Sequence, residues 1–148
     1  MGLFTAFDIN SSGMTAERYR MDIISENIAN ANTTRTEDGT PYRRKVVVFA
    51  EKDSRTHFHH ILNKAEERYS GTGVKVTGVY EDKWTEMNMV YDPSHPDADE
   101  NGYVTYPNVS TITEMTNLID ASRAYEANST AFSASKNIAT RGLDILNG

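Results

Sequence analysis

Cysteine is absent from the 148 residues, which excludes disulfides, thiolate metal sites and a cysteine nucleophile. A chain without thiols suits either redox compartment, so its location stays open on this point. Cationic charge is scarce as well: 15 Lys and Arg stand against 21 Asp and Glu, a net of −6 at pH 7, with a pI near 5.2. A general nucleic-acid binder needs a basic surface to neutralise phosphates, and that class is excluded. No stretch approaches the ~20 apolar residues that span a bilayer. The start, Met1 to Asp8, has no basic segment and only a short apolar run, so it reads as an uncleaved start rather than a secretory signal. Ala6 stands where myristoylation needs Ser or Thr. Catalytic signatures are missing too, with no G-x-S-x-G, no H-E-x-x-H and no complete glycine-rich phosphate loop.

Proline is missing from both ends. Pro41, Pro93, Pro96 and Pro107 all lie in the middle, which leaves the first and last forty residues free to form long helices. Charge is distributed in the same way. Residues 3–33 carry six charged side chains, residues 34–108 carry 23 and residues 109–147 carry seven. The hydrophobic content of 38% and a mean hydropathy of −0.59 are polar for a compact globule. A compact chain of this size buries roughly 68% of its unfolded surface, and an elongated one buries less by itself. Partners are therefore expected to complete the burial.

Both ends repeat apolar residues by sevens. Phe7, Met14, Met21 and Ile28 form one row, joined by Ile24 and Ala31 in its second half. Ser11-Ser12-Gly13 reads as a break or cap, placing the helix start near Met14 and its end near Asn30–Asn32. At the other end Leu118, Tyr125, Phe132, Ala139 and Leu146 form a row flanked by Ala124, Ala131, Ile138 and Ile145. As one helix, residues 109–147 would span ~58 Å at ~1.5 Å per residue. Ala, Ser, Thr and Asn fill the other positions. Small residues let helices approach closely, whereas Ser, Thr and Asn are poor interior helix formers. Such a helix depends on packing for its order.

The middle reads as β-rich, giving an α+β chain. Strands are expected over Arg44–Phe49, Val74–Tyr80, Glu86–Tyr91 and Tyr103–Tyr106. Thr56–Tyr69 fits a short amphipathic helix or a loop, and residues 54–72 read as variable. The division expected is 1–33, 34–108 and 109–148.

Asp97-Ala98-Asp99-Glu100-Asn101-Gly102 matches the opening of a calcium-binding loop, but Asn108 occupies the position of the bidentate Glu. An acidic turn leading into the Tyr103–Tyr106 strand is the plainer reading. His57, His59 and His60 cluster without a companion ligand pattern and read as a solvated loop. Arg43-Arg44-Lys45 alternates between strand faces, which suits a solvated strand entry or pairing with acidic runs across an interface. Asn27 and Asn30 share one helix face beside Ile28 and Ala31. They serve either as carboxamides that fix register or as an ordinary helix end.

Asn27-Ile28-Ala29-Asn30-Ala31-Asn32-Thr33 resembles the N-I-A-N-x-x-T motif of bacterial flagellar axial proteins, the rod, hook and hook-associated subunits. Pro41–Phe49, His95–Val104 and Ser122–Asn128 resemble the basal-body rod branch of that family in the same order. The resemblance implies a structural, non-enzymatic subunit without cofactors, exported through the flagellar type III apparatus without a cleaved signal. It would polymerise with copies of itself and other rod proteins in the periplasmic space, forming the proximal rod that carries motor torque to the hook. It implies no nucleic acid and no membrane insertion. The terminal helices would pack as an antiparallel, coiled-coil-like inner domain, with the β-rich middle outside. Carried onto this chain, the assembly residues would be Met14, Met21, Ile24, Asn27, Ile28, Asn30 and Ala31 with Leu118, Tyr125, Phe132 and Ala139. The rival readings are a stand-alone coiled-coil adaptor and a calcium module built on Asp97–Gly102.

Overall fold

A computed structural model describes residues 3–52 and 72–147. The histidine cluster and the Thr56–Tyr69 segment lie outside the described residues. Helix α1 covers Leu3–Ala29. Strands β1 (Lys45–Glu51) and β2 (Val74–Glu81) follow, then β3 (Asn88–Tyr91), β4 (Tyr103–Tyr106) and helix α2 (Thr111–Asn147). The α+β class holds: two long terminal helices flank short strands. No described helix is long and apolar enough to cross a membrane.

Helix α1 begins well before Met14. The Ser11-Ser12-Gly13 run does not break it, because the hydroxyls near this point bond back to the helix. Ser12 Oγ donates to the Ile9 carbonyl at 2.8 Å, and Thr15 Oγ1 donates to the Ser11 carbonyl at 2.9 Å. Gly13 meets a packing need instead: a Cβ there would lie 2.8 Å from Asn128 Oδ1. The helix ends where expected. Asn30 Nδ2 donates to the Glu26 carbonyl at 3.0 Å and Asn30 Oδ1 accepts the Thr33 hydroxyl at 3.1 Å.

A tight loop then turns the chain back. Gly39, at φ 77°, supplies the left-handed residue, and Thr36 N donates to the Thr40 carbonyl at 2.9 Å. Tyr42 N donates to the Thr33 carbonyl at 3.1 Å, closing the loop. Strands β1 and β2 form a two-stranded sheet. Strands β3 and β4 pair antiparallel, with Val90 opposite Val104 and Tyr91 opposite Tyr103. Helix α2 opens after Ser110, whose Oγ accepts the Thr113 hydroxyl at 3.0 Å.

The described residues fall into two compact units. The terminal unit comprises residues 3–18, 49–52, 72–77 and 122–147; the network unit comprises Tyr19–Val48 and Gly78–Ala121. Of the buried apolar side chains among the described residues, Ile24, Tyr42, Val104, Val109 and Ala121 belong to the network unit. Ala16 is the terminal unit's counterpart. In that unit Phe7 meets Phe132 edge-on at 5.0 Å between ring centroids. Because Gly13 faces Asn128 as well, α1 and α2 run in opposite directions there.

Candidate functional site

A buried polar network fills the network unit. Asn27 lies at its centre with none of its surface exposed. Its Oδ1 accepts from Lys45 N at 2.9 Å and its Nδ2 donates to the Lys45 carbonyl at 2.8 Å. The carboxamide thereby imitates a neighbouring strand and holds both backbone polar groups of one residue. Oδ1 also accepts the Tyr42 hydroxyl at 2.9 Å, and Nδ2 also donates to Glu114 Oε2 at 3.0 Å. Both amide hydrogens and both oxygen lone pairs are used.

Asn108 does the same work on the preceding residue. Its Oδ1 accepts from Arg44 N at 2.9 Å, while its Nδ2 donates to the carbonyls of Asp82 at 2.9 Å and Thr85 at 3.2 Å. Two carboxamides thus fix consecutive residues at the entry to β1.

Glu114 supplies the charge, and its side chain is only 1% exposed. Burying a carboxylate costs several kcal/mol unless it is paired and hydrogen-bonded. Arg44 meets Oε1 through Nε at 2.9 Å and Nη2 at 2.8 Å. Asn117 Nδ2 adds a third contact at 3.2 Å. Lys45 pairs separately with Glu26 Oε1 at 2.6 Å. Within the basic triplet, Arg44 and Lys45 pair with carboxylates of their own chain, and Arg43 Nη1 donates to the Asp82 carbonyl at 3.3 Å. Burial, then the carboxylates of Glu26, Glu114 and Glu81, push the Tyr42 phenol well above its ordinary range. It stays a donor to Asn27. The Thr85 hydroxyl hydrogen bond leads the causes that hold Asp82 below the usual carboxylate range; backbone bonds from Thr85 and Trp84 and the Arg44 charge add to it.

The remaining expected residues are placed differently. Ile24 is buried like Asn27. Met14, Met21, Ile28, Asn30, Ala31, Leu118, Tyr125, Phe132 and Ala139 are half-buried. The acidic turn uses its carboxylates locally. Asp99 Oδ1 accepts the amides of Asn101 and Tyr103 at 2.9 and 2.8 Å, and Asp97 Oδ2 accepts the Thr34 hydroxyl at 2.8 Å. No cluster of three or more His, Asp or Glu side chains suited to a metal ion occurs among the described residues.

Tyr42, Arg44, Asn108 and Glu114 escaped sequence reasoning as a site. Glu114 carried one usable signal: it is a lone carboxylate between Ile112 and Met115 in a segment poor in charge.

A family model described as "Flagella basal body rod protein" matches residues 7–35. Another, "Flagellar basal body rod FlgEFG protein C-terminal", matches residues 100–145. Asn27 falls within the first and Asn108 and Glu114 within the second. The flagellar basal-body rod protein FlgC of Borreliella burgdorferi is 43% identical, with all of both chains covered. That of Bacillus subtilis is 41% identical over 98% of this chain and 99% of its own. That of Salmonella typhimurium is 41% identical over 86% of each.

Proposed function

We propose, from a chain that belongs to the FlgC family of flagellar basal-body rod proteins, that its terminal helices build the rod by completing half-filled apolar seams against neighbouring subunits. As a family member the chain is a structural subunit of the bacterial flagellar basal-body rod and not an enzyme. One observation carries the assembly reading. The seam positions Met14, Met21, Ile28, Leu118, Tyr125, Phe132 and Ala139 each keep part of their surface open, although 27- and 37-residue helices carry them. Ile24 and Asn27 have no surface left for a neighbour and support the seam from inside.

The finer picture follows the resemblance. The helices form an antiparallel inner domain, coiled-coil-like along the seam. Sister copies and other rod proteins stack against it in the periplasmic rod, which passes torque to the hook. The chain reaches that site through the type III export apparatus without a cleaved signal. No observation favours a coiled-coil adaptor or a calcium module.

Substitutions in the seam test this. Tyr125→Asp and Phe132→Asp place a charge where a neighbour would bury it, which costs several kcal/mol. Loss of rod incorporation and swimming is expected, with the Asn27–Glu114 network still protected in amide exchange. Normal swimming by both variants would overturn the reading.

A further inference from the structure

We propose that Asn101 is a deamidation site, shut while the turn before β4 is closed and released when that turn opens, whether or not the chain has entered a rod. Asn101-Gly102 is one of two Asn-Gly pairs in the sequence, the other being Asn147-Gly148. The chemistry needs a carboxamide followed by an unhindered backbone amide. The Gly102 nitrogen gives up its proton and attacks Asn101 Cγ. The Cγ–Nδ2 bond breaks, ammonia leaves and a succinimide ring closes. Water then opens the ring at either of its carbonyls, so residue 101 becomes aspartate or isoaspartate. Water is the only co-reactant.

The fold keeps the glycine in place. Gly102 has φ 82°, in the left-handed region. A Cβ on it would lie 3.0 Å from Tyr91 Cε2 and 3.2 Å from Pro93 Cβ, so a side chain that would shield the nitrogen has no room. Asn101 is exposed, which gives water access to its carboxamide.

Backbone hydrogen bonds hold the reaction back. Gly102 N donates to the Asp99 carbonyl at 3.0 Å, and the Gly102 carbonyl accepts from Asp92 N at 2.9 Å. Ring closure needs that nitrogen free and that peptide turned, which breaks both bonds. Asp99 is the clasp. Its Oδ1 accepts the amides of Asn101 and Tyr103 at 2.9 and 2.8 Å, and its own amide donates to the Tyr103 carbonyl at 2.8 Å. Bonds to a charged acceptor are among the stronger ones. The nucleophile is therefore available only in the fraction of chains whose turn is open. Once formed, isoaspartate routes the main chain through its side-chain carbons. The added atom carries Tyr103 away from Tyr91, its cross-strand partner and its edge-on ring neighbour at 5.3 Å.

Incubating the full-length chain at neutral pH tests this, folded in buffer and unfolded in guanidinium chloride. Mass spectrometry of the peptide carrying Asn101 reads the conversion separately from Asn147. Isoaspartate in the product marks the succinimide route, because direct hydrolysis yields aspartate alone. Conversion should be at least roughly tenfold slower in the folded chain. Asp99→Ala should recover about tenfold in buffer and change nothing in guanidinium. Asp99→Asn, which keeps an acceptor oxygen, should restore most of the protection. Asn101→Gln, whose longer side chain closes the ring poorly, should stay unmodified. Hydrogen exchange at the wild-type Gly102 amide reads the same opening without a substitution, and its protection should match the slowing. Equal rates in folded and unfolded chain, purely aspartate product, or fast conversion while Gly102 stays protected would each overturn the proposal. So would an Asp99→Ala chain that converts no faster than wild type.

Discussion

The two units solve the same problem with different chemistry. The network unit holds Asn27, Tyr42, Arg44, Asn108 and Glu114 in a polar lattice whose donors and acceptors answer one another. Val104 and Val109 are buried in the same unit. The terminal unit has an edge-on pair, Phe7 and Phe132, and a close approach at Gly13. Large apolar side chains are exposed in both units, Phe4, Ile138, Leu143 and Ile145 in this one and Trp84, Tyr91, Ile112 and Ile119 among those of the network unit. The terminal unit, however, has no comparable buried polar lattice among its described residues. Directional bonds specify one arrangement before a partner arrives, whereas open apolar surface gains most of its stabilisation once a partner covers it. On the proposed assembly, the first belongs where the chain defines itself and the second where copies would meet.

The largest effect expected on that contrast comes from Glu114→Ala. It strands the Arg44 guanidinium and the Asn27 amide, a loss of about 3–5 kcal/mol for a buried pair with one partner removed. Urea unfolding followed by amide exchange should place the loss in the network unit, leaving rod incorporation to fail as a consequence. A loss confined to the terminal helices would erase the distinction.

Gly13→Val should act in the opposite place and more gently. The added side chain meets the Asn128 amide, whose oxygen lies 2.8 Å from the position of a Cβ. Overpacking of that sort costs about 1–3 kcal/mol. Amides in residues 5–18 and 122–140 should fail to gain their full protection on assembly, while those around Asn27 keep theirs.

The pH dependence is smaller and two-sided. Tyr42 has a raised folded pKa and an unfolded value of ~10. Its contribution is complete below pH ~10 and is lost as pH rises from there. Asp82 has a lowered folded pKa, so its contribution is present above ~4 and fades as pH falls further. Denaturation midpoints measured from pH 3 to 11 should be flat in the centre. Both limbs should map to the network unit, and Tyr42→Phe should remove the alkaline one.

Much of this was legible in the sequence, unevenly. The proline-free ends and sevenfold apolar rows mark both helices, and the Val-rich and Tyr-rich runs mark the four strands. The Ser11-Ser12-Gly13 run misleads because a hydroxyl can bond back into a helix as readily as it can cap one. Glycine there answers a neighbour distant in sequence. Asn27 and Asn30 look equivalent by spacing, yet Asn30 closes its own helix end and Asn27 reaches strand and second helix. That difference depends on Lys45 and Glu114, respectively 18 and 87 residues away. Periodicity cannot register such distances.

Residue-resolved amide exchange on the free, full-length chain tests the division most directly. Amides at 24–30 and 104–121 should be strongly protected in the monomer. Those at 5–18 and 122–145 should exchange rapidly and slow only once copies assemble. Equal protection along both helices before assembly, or stronger protection at their outer ends, would contradict it.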